Sequence, residues 1–411
     1  SFISLNVLTC VNQNLFWDTM VNIYDNCGIK LRWINSPSIG GVIKEKPEDF
    51  VVEELPLKKE PGSIYTHVLV EKKNLETQDV VKILSNELNI SSKKIGYAGN
   101  KDKRAVTKQW FSIQGVDPKD LVELNVSNIR FSEFTKSKSP IKIGDLDRNK
   151  FLITIRKIDH PVNETSKMLK KILGEIERKK LPNFFGPQRF GGKRPVTHLV
   201  GKEMIRGNFE EAVKTYLTKT YGEESEEAYD ARNKLKENWD YSEALEYFPH
   251  YLNYERQILR SLKSSEDYLK ALNKLPLGLR MLFVNAYQSW VYNLTLSRVL
   301  GQYKDNEKEE MDNFPIKLVG YKTTLDSDRN SDSIIKEILN SEGIEPSDFQ
   351  VSKMSEVSSP GTVRSAFISS PKLKLKVVKE DEENEGKTQA TLSFVLKSGS
   401  YATVLLREIM K

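Results

Sequence analysis

The sequence predicts an α+β protein whose chain leaves a β-rich domain, forms a helical domain and then returns to complete the first. At 411 residues the chain exceeds the roughly 250–300 at which a single core stops growing, so two domains are expected. Strand-like patterns dominate residues 40–158 and return near the C-terminus, whereas they nearly vanish between residues 197 and 340. We therefore predict one domain from residues 1–192 with 363–411, and an inserted helical domain over 193–362.

The N-terminal elements alternate between strands and a helix. The run "GGVIKEKPEDFVVEELP" (40–56) predicts a strand, a proline turn and a second strand, with Lys44 on the first of them. A second β-rich run follows over 63–73. Residues 76–90 then place apolar side chains at helical spacing behind Thr77, which we predict to be the N-cap.

Further strands and helices follow in the same way. Residues 109–115 predict a strand and 117–124 a short helix, and residues 149–158 alternate apolar and polar residues as a half-buried strand does. A basic helix is predicted over 164–180. The C-terminal region predicts two more strands, 372–378 and 390–397, joined by the charged loop "KEDEENEGKTQ" (379–389). The remaining helical patterns lie in the inserted domain.

Charge is unevenly distributed along the chain. The net charge is +6, but residues 167–194 carry nine Lys or Arg against two Glu, which suits contact with phosphates. Residues 222–246 carry nine acidic residues against three basic ones, so we exclude this segment as a phosphate-binding surface.

Cysteine, histidine and apolar residues exclude several classes of protein. The two cysteines, Cys10 and Cys27, are too few for a disulfide framework and favour a reducing compartment. The four histidines never occur at metal-ligand spacing, so no metal site is predicted. No apolar run approaches the 18 or so residues that span a bilayer. We expect a soluble, cytoplasmic protein without a membrane or metal partner.

The run "KIGYAGNKDKRAVTKQWFSI" (94–113) places a lone carboxylate, Asp102, among several cations. If Lys101, Lys103 and Arg104 point toward it, they would keep the carboxylate ionised, as a nucleophile or a base requires. A solvated loop with an ordinary aspartate is the alternative interpretation. A phosphate-binding loop is a poor match, because the G-x-x-x-x-G-K-[ST] arrangement is missing.

A second cluster, "LPNFFGPQRFGGKRP" (181–195), combines three phenylalanines with Arg189, Lys193 and Arg194. Aromatic rings stack on bases and cations follow the backbone, so these three cations are candidates for contact with an RNA backbone. The alternative is a hydrophobic plug between domains with the cations at its rim. Asn149 could bond the edge of a base, although a turn residue is the simpler interpretation.

Four motifs, in order, resemble those of the TruD family of tRNA pseudouridine synthases: "GYAGNKDKRAVTKQW", "NFFGPQRFGG", "NAYQSWVYN" and "SGSYATVLLREIM". The segment "KPEDFVVEE" (46–54) also resembles the N-terminal region of the family. The resemblance implies a mixed, mainly antiparallel sheet of pseudouridine-synthase type with flanking helices and a helical insertion. It also implies isomerisation of uridine to pseudouridine, usually at position 13 of tRNA, without metal or organic cofactor.

The resemblance also implies roles for individual residues. Asp102 corresponds to the nucleophile and Lys44 to its basic partner. The positions that contact the uracil correspond to four further residues, namely Phe50, Asn149, Phe151 and Tyr401.

Several alternatives stay open at this stage. A non-catalytic RNA-binding protein on the same scaffold would use Asp102 structurally, whereas a methyltransferase would need a G-x-G-x-x-G loop, which the sequence lacks. The cation that pairs with Asp102 is not determined, nor are the route of the reaction, the tRNAs that are modified, the oligomeric state or a role for residues 1–30.

Overall fold

A computed structural model describes residues 23–56, 60–222, 224–369 and 371–410. The first 22 residues, to which the sequence assigned no role, lie outside the described part. The strands are β1 Phe50–Glu54, β2 Pro61–Lys73, β3 Ile95–Tyr97, β4 Val106–Gln114, β5 Ile129–Ser137, β6 Arg148–Ile158, β7 Leu181–Pro182, β8 Pro315–Leu318, β9 Thr362–Ser365, β10 Phe367–Ile368, β11 Lys374–Glu380 and β12 Thr388–Lys397.

From residue 60 onward the described helices are α1 Thr77–Glu87, α2 Pro118–Val122, α3 Val162–Lys179, α4 Thr197–Ile205, α5 Phe209–Thr218, α6 Glu226–Asn238, α7 Tyr241–Tyr247, α8 Asn253–Ser265, α9 Tyr268–Leu272, α10 Leu277–Gly301, α11 Asp305–Lys308, α12 Asn330–Ser341 and α13 Ala402–Met410. Short 3₁₀ turns, including Pro47–Asp49 just before β1, connect some of them.

The chain forms two compact units. Residues 34–181 with 368–410 form the sheet unit, and residues 23–33 with 182–367 form the helical unit. The chain therefore changes unit at residues 33, 181 and 367, whereas the sequence suggested only 192 and 362 and placed residues 23–33 with the sheet. The difference over residues 182–192 has a physical cause: the main-chain N–H and C=O of Phe185 bond the side-chain amide of Asn293 on α10, both at 2.9 Å. The "NFFGPQRFGG" run thus packs with the helical unit.

In the described part of the sheet unit, eight strands form one sheet in the order β11, β12, β6, β1, β4, β2 and β5, and β3 pairs with β4. The β1–β4 pair is parallel and the other pairs are antiparallel. Val52 of β1 lies beside Thr107 of β4 and Phe151 of β6. Since side chains alternate between faces, Phe50, Val52 and Phe151 share one face. The α+β class with a mainly antiparallel sheet is confirmed.

Helices pack on the sheet. Val80 and Leu84 of α1 join one buried cluster with Val70 of β2 and Phe111 of β4, so α1 covers the β2–β4 part of the sheet. The apolar face of α3 packs against β11 and β12. The site described below is built on strands of this same sheet unit.

Two local predictions are wrong. Lys44 does not lie on a strand: in residues 23–49 the structure has one isolated β-bridge, at Val42, and Lys44 has a left-handed φ of 59°. Thr77 is not the N-cap of α1. Glu76 takes that position, and its main-chain N–H bonds the Asp79 carboxylate at 2.8 Å, while the Thr77 hydroxyl is committed to buried tertiary contacts.

The helical unit follows the predicted pattern of residues 197–340. Its longest described helix, α10, is buried on most of its surface and contacts α4 and α12. Gly201 of α4 permits this close approach, because a Cβ at that position would lie 1.9 Å from the main-chain oxygen of Phe283. Strands β8 and β9 pair antiparallel in the loop-rich tract. Among the described helices, none has both the length and the hydropathy needed to cross a bilayer.

Candidate active site

The carboxylate of Asp102 forms an ion pair with Lys44. Asp102 lies in the loop between β3 and β4, Lys44 lies in the turn that precedes β1, and the distance from Nζ to Oδ2 is 2.7 Å. Both side chains are partly exposed, 25% for Lys44 and 45% for Asp102, so a substrate can reach the carboxylate. The cation that pairs with Asp102 therefore comes from a distant part of the sequence.

The neighbouring cations point elsewhere. Lys101 is buried and pairs with the buried Glu54 carboxylate at 2.6 Å. Arg104 donates from Nη2 to the main-chain oxygen of Glu45 at 3.1 Å, and Lys103 is exposed. Asp102 therefore pairs with a cation from outside the charged run, whereas Lys101 and Arg104 within the run bond other groups.

Buried polar side chains hold the loop that carries Asp102. The Thr77 hydroxyl accepts a hydrogen bond from the main-chain N–H of Lys101 at 2.9 Å and donates one to Gln109 Oε1 at 3.0 Å. Gln109 in turn donates to the main-chain oxygen of Gly99. Neither Thr77 nor Gln109 was identified from the sequence as a support of this loop. Thr107, Lys108 and Ser112 of β4 are polar as well, so no pattern in the sequence distinguished Gln109.

Lys72 lies beneath the same loop and was also missed. Its side chain donates to the main-chain oxygens of Leu75 at 2.5 Å and Asp102 at 3.2 Å, and the residue is 1% exposed. Burial lowers the pKa of Lys72 to about 8, with the charge of Lys101 acting in the same sense and that of Asp102 against it. The ammonium therefore holds the main chain of the loop that carries Asp102.

Substituting Lys72 by Met is expected to change how stability depends on pH. Between about pH 8 and the ordinary lysine pKa, the unfolded chain binds a proton at Lys72 that the folded protein has released, so wild-type stability rises with pH in that window. Lys72→Met has no such contribution. As the pH rises through this window, the free energy of unfolding of the wild type should rise by about 1–3 kcal/mol relative to that of Lys72→Met.

Urea titrations from pH 7 to 10.5 measure this difference, with the exposed Lys82→Met as the matched control. A difference that stays constant across the range would show that the ammonium of Lys72 carries no burial penalty.

Aromatic rings lie next to the ion pair on the same face of the sheet. The ring centroids of Phe50 and Phe151 are 6.3 Å apart in an edge arrangement, and Phe151 stacks on Phe394 at 5.1 Å. Lys44 Nζ lies 4.1 Å from the centroid of Phe50, so one ammonium contacts both the carboxylate and the aromatic wall. Phe394, on β12, was not identified from the sequence, although it alternates with other apolar residues of that strand.

Asn149 belongs to this face through strand pairing, because it lies opposite Glu54 of β1 and Leu396 of β12. Its side-chain oxygen is buried and has no hydrogen-bond partner among the residues that the structure describes. A buried amide oxygen without a hydrogen-bond partner is unfavourable unless a ligand donates a hydrogen bond to it. Tyr401, the other position from the resemblance, is half-buried immediately before α13.

Known proteins match this chain over nearly all of its length. The model of the family described as tRNA pseudouridine synthase D (TruD) matches residues 26–315 and 302–409. The chain belongs to the TruD family. A "Probable tRNA pseudouridine synthase D" of Methanococcoides burtonii is 36% identical and covers 95% of this chain and 97% of its own. A protein of the same name from Archaeoglobus fulgidus is 33% identical, and the match covers 94% of this chain and 98% of the relative.

The fold is shared with a solved TruD structure from Methanosarcina mazei. That structure has a TM-score of 0.79 and 34% sequence identity, and the match covers 95% of this chain and 98% of that one. The TruD family assignment therefore rests on sequence and on three-dimensional structure together.

The TruD-like motif "NFFGPQRFGG" lies in the helical unit with the three cations expected to contact RNA. Arg189 donates from Nε to the Ser289 hydroxyl at 3.1 Å, and its guanidinium lies 5.6 Å from the ring of Phe185. Lys193 is exposed. The expectation of a phosphate contact at these two residues stays a proposal.

Arg194 bonds groups of the helical unit. Its Nε donates to the main-chain oxygen of Lys219 at 2.9 Å and lies 3.4 Å from the Glu224 carboxylate. Burial lowers the pKa of Arg194 to about 10, with the nearby Arg232 acting in the same sense. Its guanidinium is less exposed than the Lys193 ammonium, and a phosphate contact at Arg194 stays a prediction.

Lys179, from the same basic segment, likewise bonds a group of the protein. It is buried and pairs with the buried Glu175 at 2.8 Å, one helical turn away on α3. Lys167, Lys170 and Lys171 of that helix are exposed. Only part of the basic segment predicted from the sequence is thus available to a phosphate.

Proposed function

We propose that this protein isomerises uridine to pseudouridine in tRNA, at position 13, with Asp102 as the nucleophile. The observation that carries the proposal is the Lys44–Asp102 ion pair at 2.7 Å beside the Phe50 and Phe151 rings. Membership of the TruD family supports the reaction class, and the position in the tRNA comes from the resemblance of the motifs.

The chemistry explains why these residue types are needed. Isomerisation breaks the bond from uracil N1 to ribose C1′, turns the base and rejoins it through C5. The uridine must therefore leave its stack and be held in a pocket. In this proposal the aromatic wall of Phe50 and Phe151 holds the face of the uracil, and the unpartnered oxygen of Asn149 accepts a hydrogen bond from uracil N3–H.

Asp102 would act as an anion on the ribose. It either attacks C1′, which gives a covalent acylal, or removes a ribose proton, which gives a glycal. Both routes require an ionised carboxylate of fixed orientation, and Lys44 supplies the paired charge for either. Uracil C5 then bonds C1′; this step releases the Asp102 carboxylate on the acylal route, and on the glycal route Asp102 returns the proton to C2′. C5 loses its proton and N1 gains one, so uridine and pseudouridine are isomers and no external oxidant or cofactor is consumed.

A tRNA transcript tests the activity directly. The purified protein is incubated with an unmodified transcript that carries uridine at position 13, without any added cofactor, and pseudouridines are mapped before and after. We expect one new pseudouridine at position 13 and none in a matched transcript with cytidine there. A new pseudouridine elsewhere would refute the position, and none in any tRNA would refute the activity and favour a non-catalytic RNA-binding protein.

A further inference from the structure

The charged loop between β11 and β12 received no role from the sequence. We define the acidic loop as residues 381–387, four of which are Asp or Glu. A loop of this charge repels phosphate, so direct binding of RNA is a poor explanation for it. Its side chains instead turn toward the segment 44–49, which carries Lys44.

Two contacts join the acidic loop to this segment near the surface. Glu383 forms an ion pair with Lys46. Asn384 donates from Nδ2 to the Glu45 carboxylate at 3.1 Å and to the Asp381 carboxylate at 3.0 Å. The two residues that follow Lys44 are therefore both held by the acidic loop.

A third connection is buried. Arg156 of β6 donates from Nη1 to Asp381 at 2.9 Å and from Nε to Asp49 at 2.8 Å, and the three side chains are at most 8% exposed. The second oxygen of Asp49 accepts the main-chain N–H of Lys46 at 2.9 Å. A continuous series of charge-assisted hydrogen bonds thus runs from the acidic loop to the backbone beside Lys44.

The backbone of Lys44 explains why such support is needed. Its φ of 59° lies in the left-handed region, which residues other than glycine adopt only at an energetic cost. Such a conformation persists where the surroundings over-determine it. From the loop that carries Asp102, Arg104 bonds the main-chain oxygen of Glu45 at 3.1 Å. The segment is therefore fixed between the Asp102 loop and the acidic loop.

We propose that the acidic loop is a positioning element for the active site: Glu383 and Asn384 hold Glu45 and Lys46 so that the Lys44 ammonium meets the Asp102 carboxylate. The part of the proposal that concerns turnover rests on the proposed function. The acidic loop itself touches no substrate, so its effect reaches the reaction through Lys44.

The test combines two substitutions that keep the Arg156 ion pairs with Asp49 and Asp381, Glu383→Gln and Asn384→Ala. The second also removes the hydrogen bond from Asn384 to Asp381. Glu382→Gln is the matched control, because Glu382 lies in the same loop but pairs with Lys379 at 3.0 Å. We expect the double variant to lower kcat about 10-fold, since misplacing a catalytic group by about 1 Å has an effect of at least this size. KM for tRNA should stay within about two-fold, and the control should match the wild type.

Introducing the same double variant into Lys44→Met separates positioning from a general structural effect. If the acidic loop acts through Lys44, the loop substitutions should lower kcat no further once the ammonium is gone. An equal additional loss in that background would overturn the proposal.

Hydrogen exchange gives a readout that does not require turnover. Amide exchange of residues 42–50, followed by mass spectrometry, should be faster in the double variant than in Glu382→Gln, while exchange in α1 stays the same. Unchanged exchange in 42–50 would refute the positioning role even if the wild type were inactive on tRNA. Failure of the proposed function and failure of this inference are therefore distinguishable.

Discussion

Asp102→Asn is expected to abolish pseudouridine formation while leaving tRNA binding intact. Asparagine has nearly the shape of aspartate, but its amide is neither a nucleophile nor a base. The exposed position of Asp102 and its surface-type ion pair limit the change in stability to about 1 kcal/mol or less. Under single-turnover conditions with excess protein, we expect the rate to fall by at least about 10³-fold, or ~4 kcal/mol.

A matched ion pair elsewhere in the sheet unit provides the control. Asp117 pairs with Lys136 at 2.9 Å and is 61% exposed, so Asp117→Asn removes a comparable charge from a comparable surface. It should retain the wild-type rate. An Asp102→Asn protein that still converts uridine would remove Asp102 from the mechanism, whereas one that no longer binds tRNA would make it a binding residue.

The sequence predicted the fold where the pattern was local and regular. The alternation of residues 149–158 indicated β6, and the 3.6-residue periodicity near residues 76–90 indicated α1. Predictions failed where a side chain bonds something distant in the sequence. Thr77 reads locally as an N-cap, but its hydroxyl is taken by Gln109 and by the backbone of Lys101.

The ion pair between Lys44 and Asp102 shows the same limit. Lys44 and Asp102 are separated by 58 positions, and local reading favoured the cations adjacent to Asp102. Lys101 instead pairs with the buried Glu54, whose charge must be compensated, and Arg104 bonds the main-chain oxygen of Glu45. Only the resemblance to a family indicated Lys44, and residue types alone could not have selected it.

Basic residues are similarly ambiguous. Lys193 and Arg194 are adjacent in the sequence and equally charged, yet one is exposed and the other is enclosed with Glu224. Charge density along a segment predicts a tendency to bind phosphate, but burial decides which cations remain accessible. Which of the two cations is enclosed depends on how α5 and α6 pack, and a local sequence pattern does not contain that packing.

Lys44→Met should show how much of the rate depends on the paired cation. The substitution keeps the length of the side chain but removes the charge that orients Asp102, together with the ammonium over the Phe50 ring. Removing one preorganised electrostatic group at a reacting centre typically lowers kcat by about 10²–10³-fold. We expect a loss of that size in single-turnover rate, with partial recovery in Lys44→Arg, because a guanidinium keeps the charge but not the position of Nζ.

The comparison with tRNA affinity decides between two roles for this lysine. If Lys44 orients Asp102, the dissociation constant for tRNA should change by about two-fold or less, and Lys136→Met, which breaks the control pair with Asp117, should leave both quantities unchanged. If Lys44 mainly contacts a phosphate, the affinity should fall, its dependence on salt should weaken, and the rate at saturating protein should recover. Measuring the rate and the affinity on the same variant therefore separates a catalytic ion pair from an electrostatic contact with the RNA.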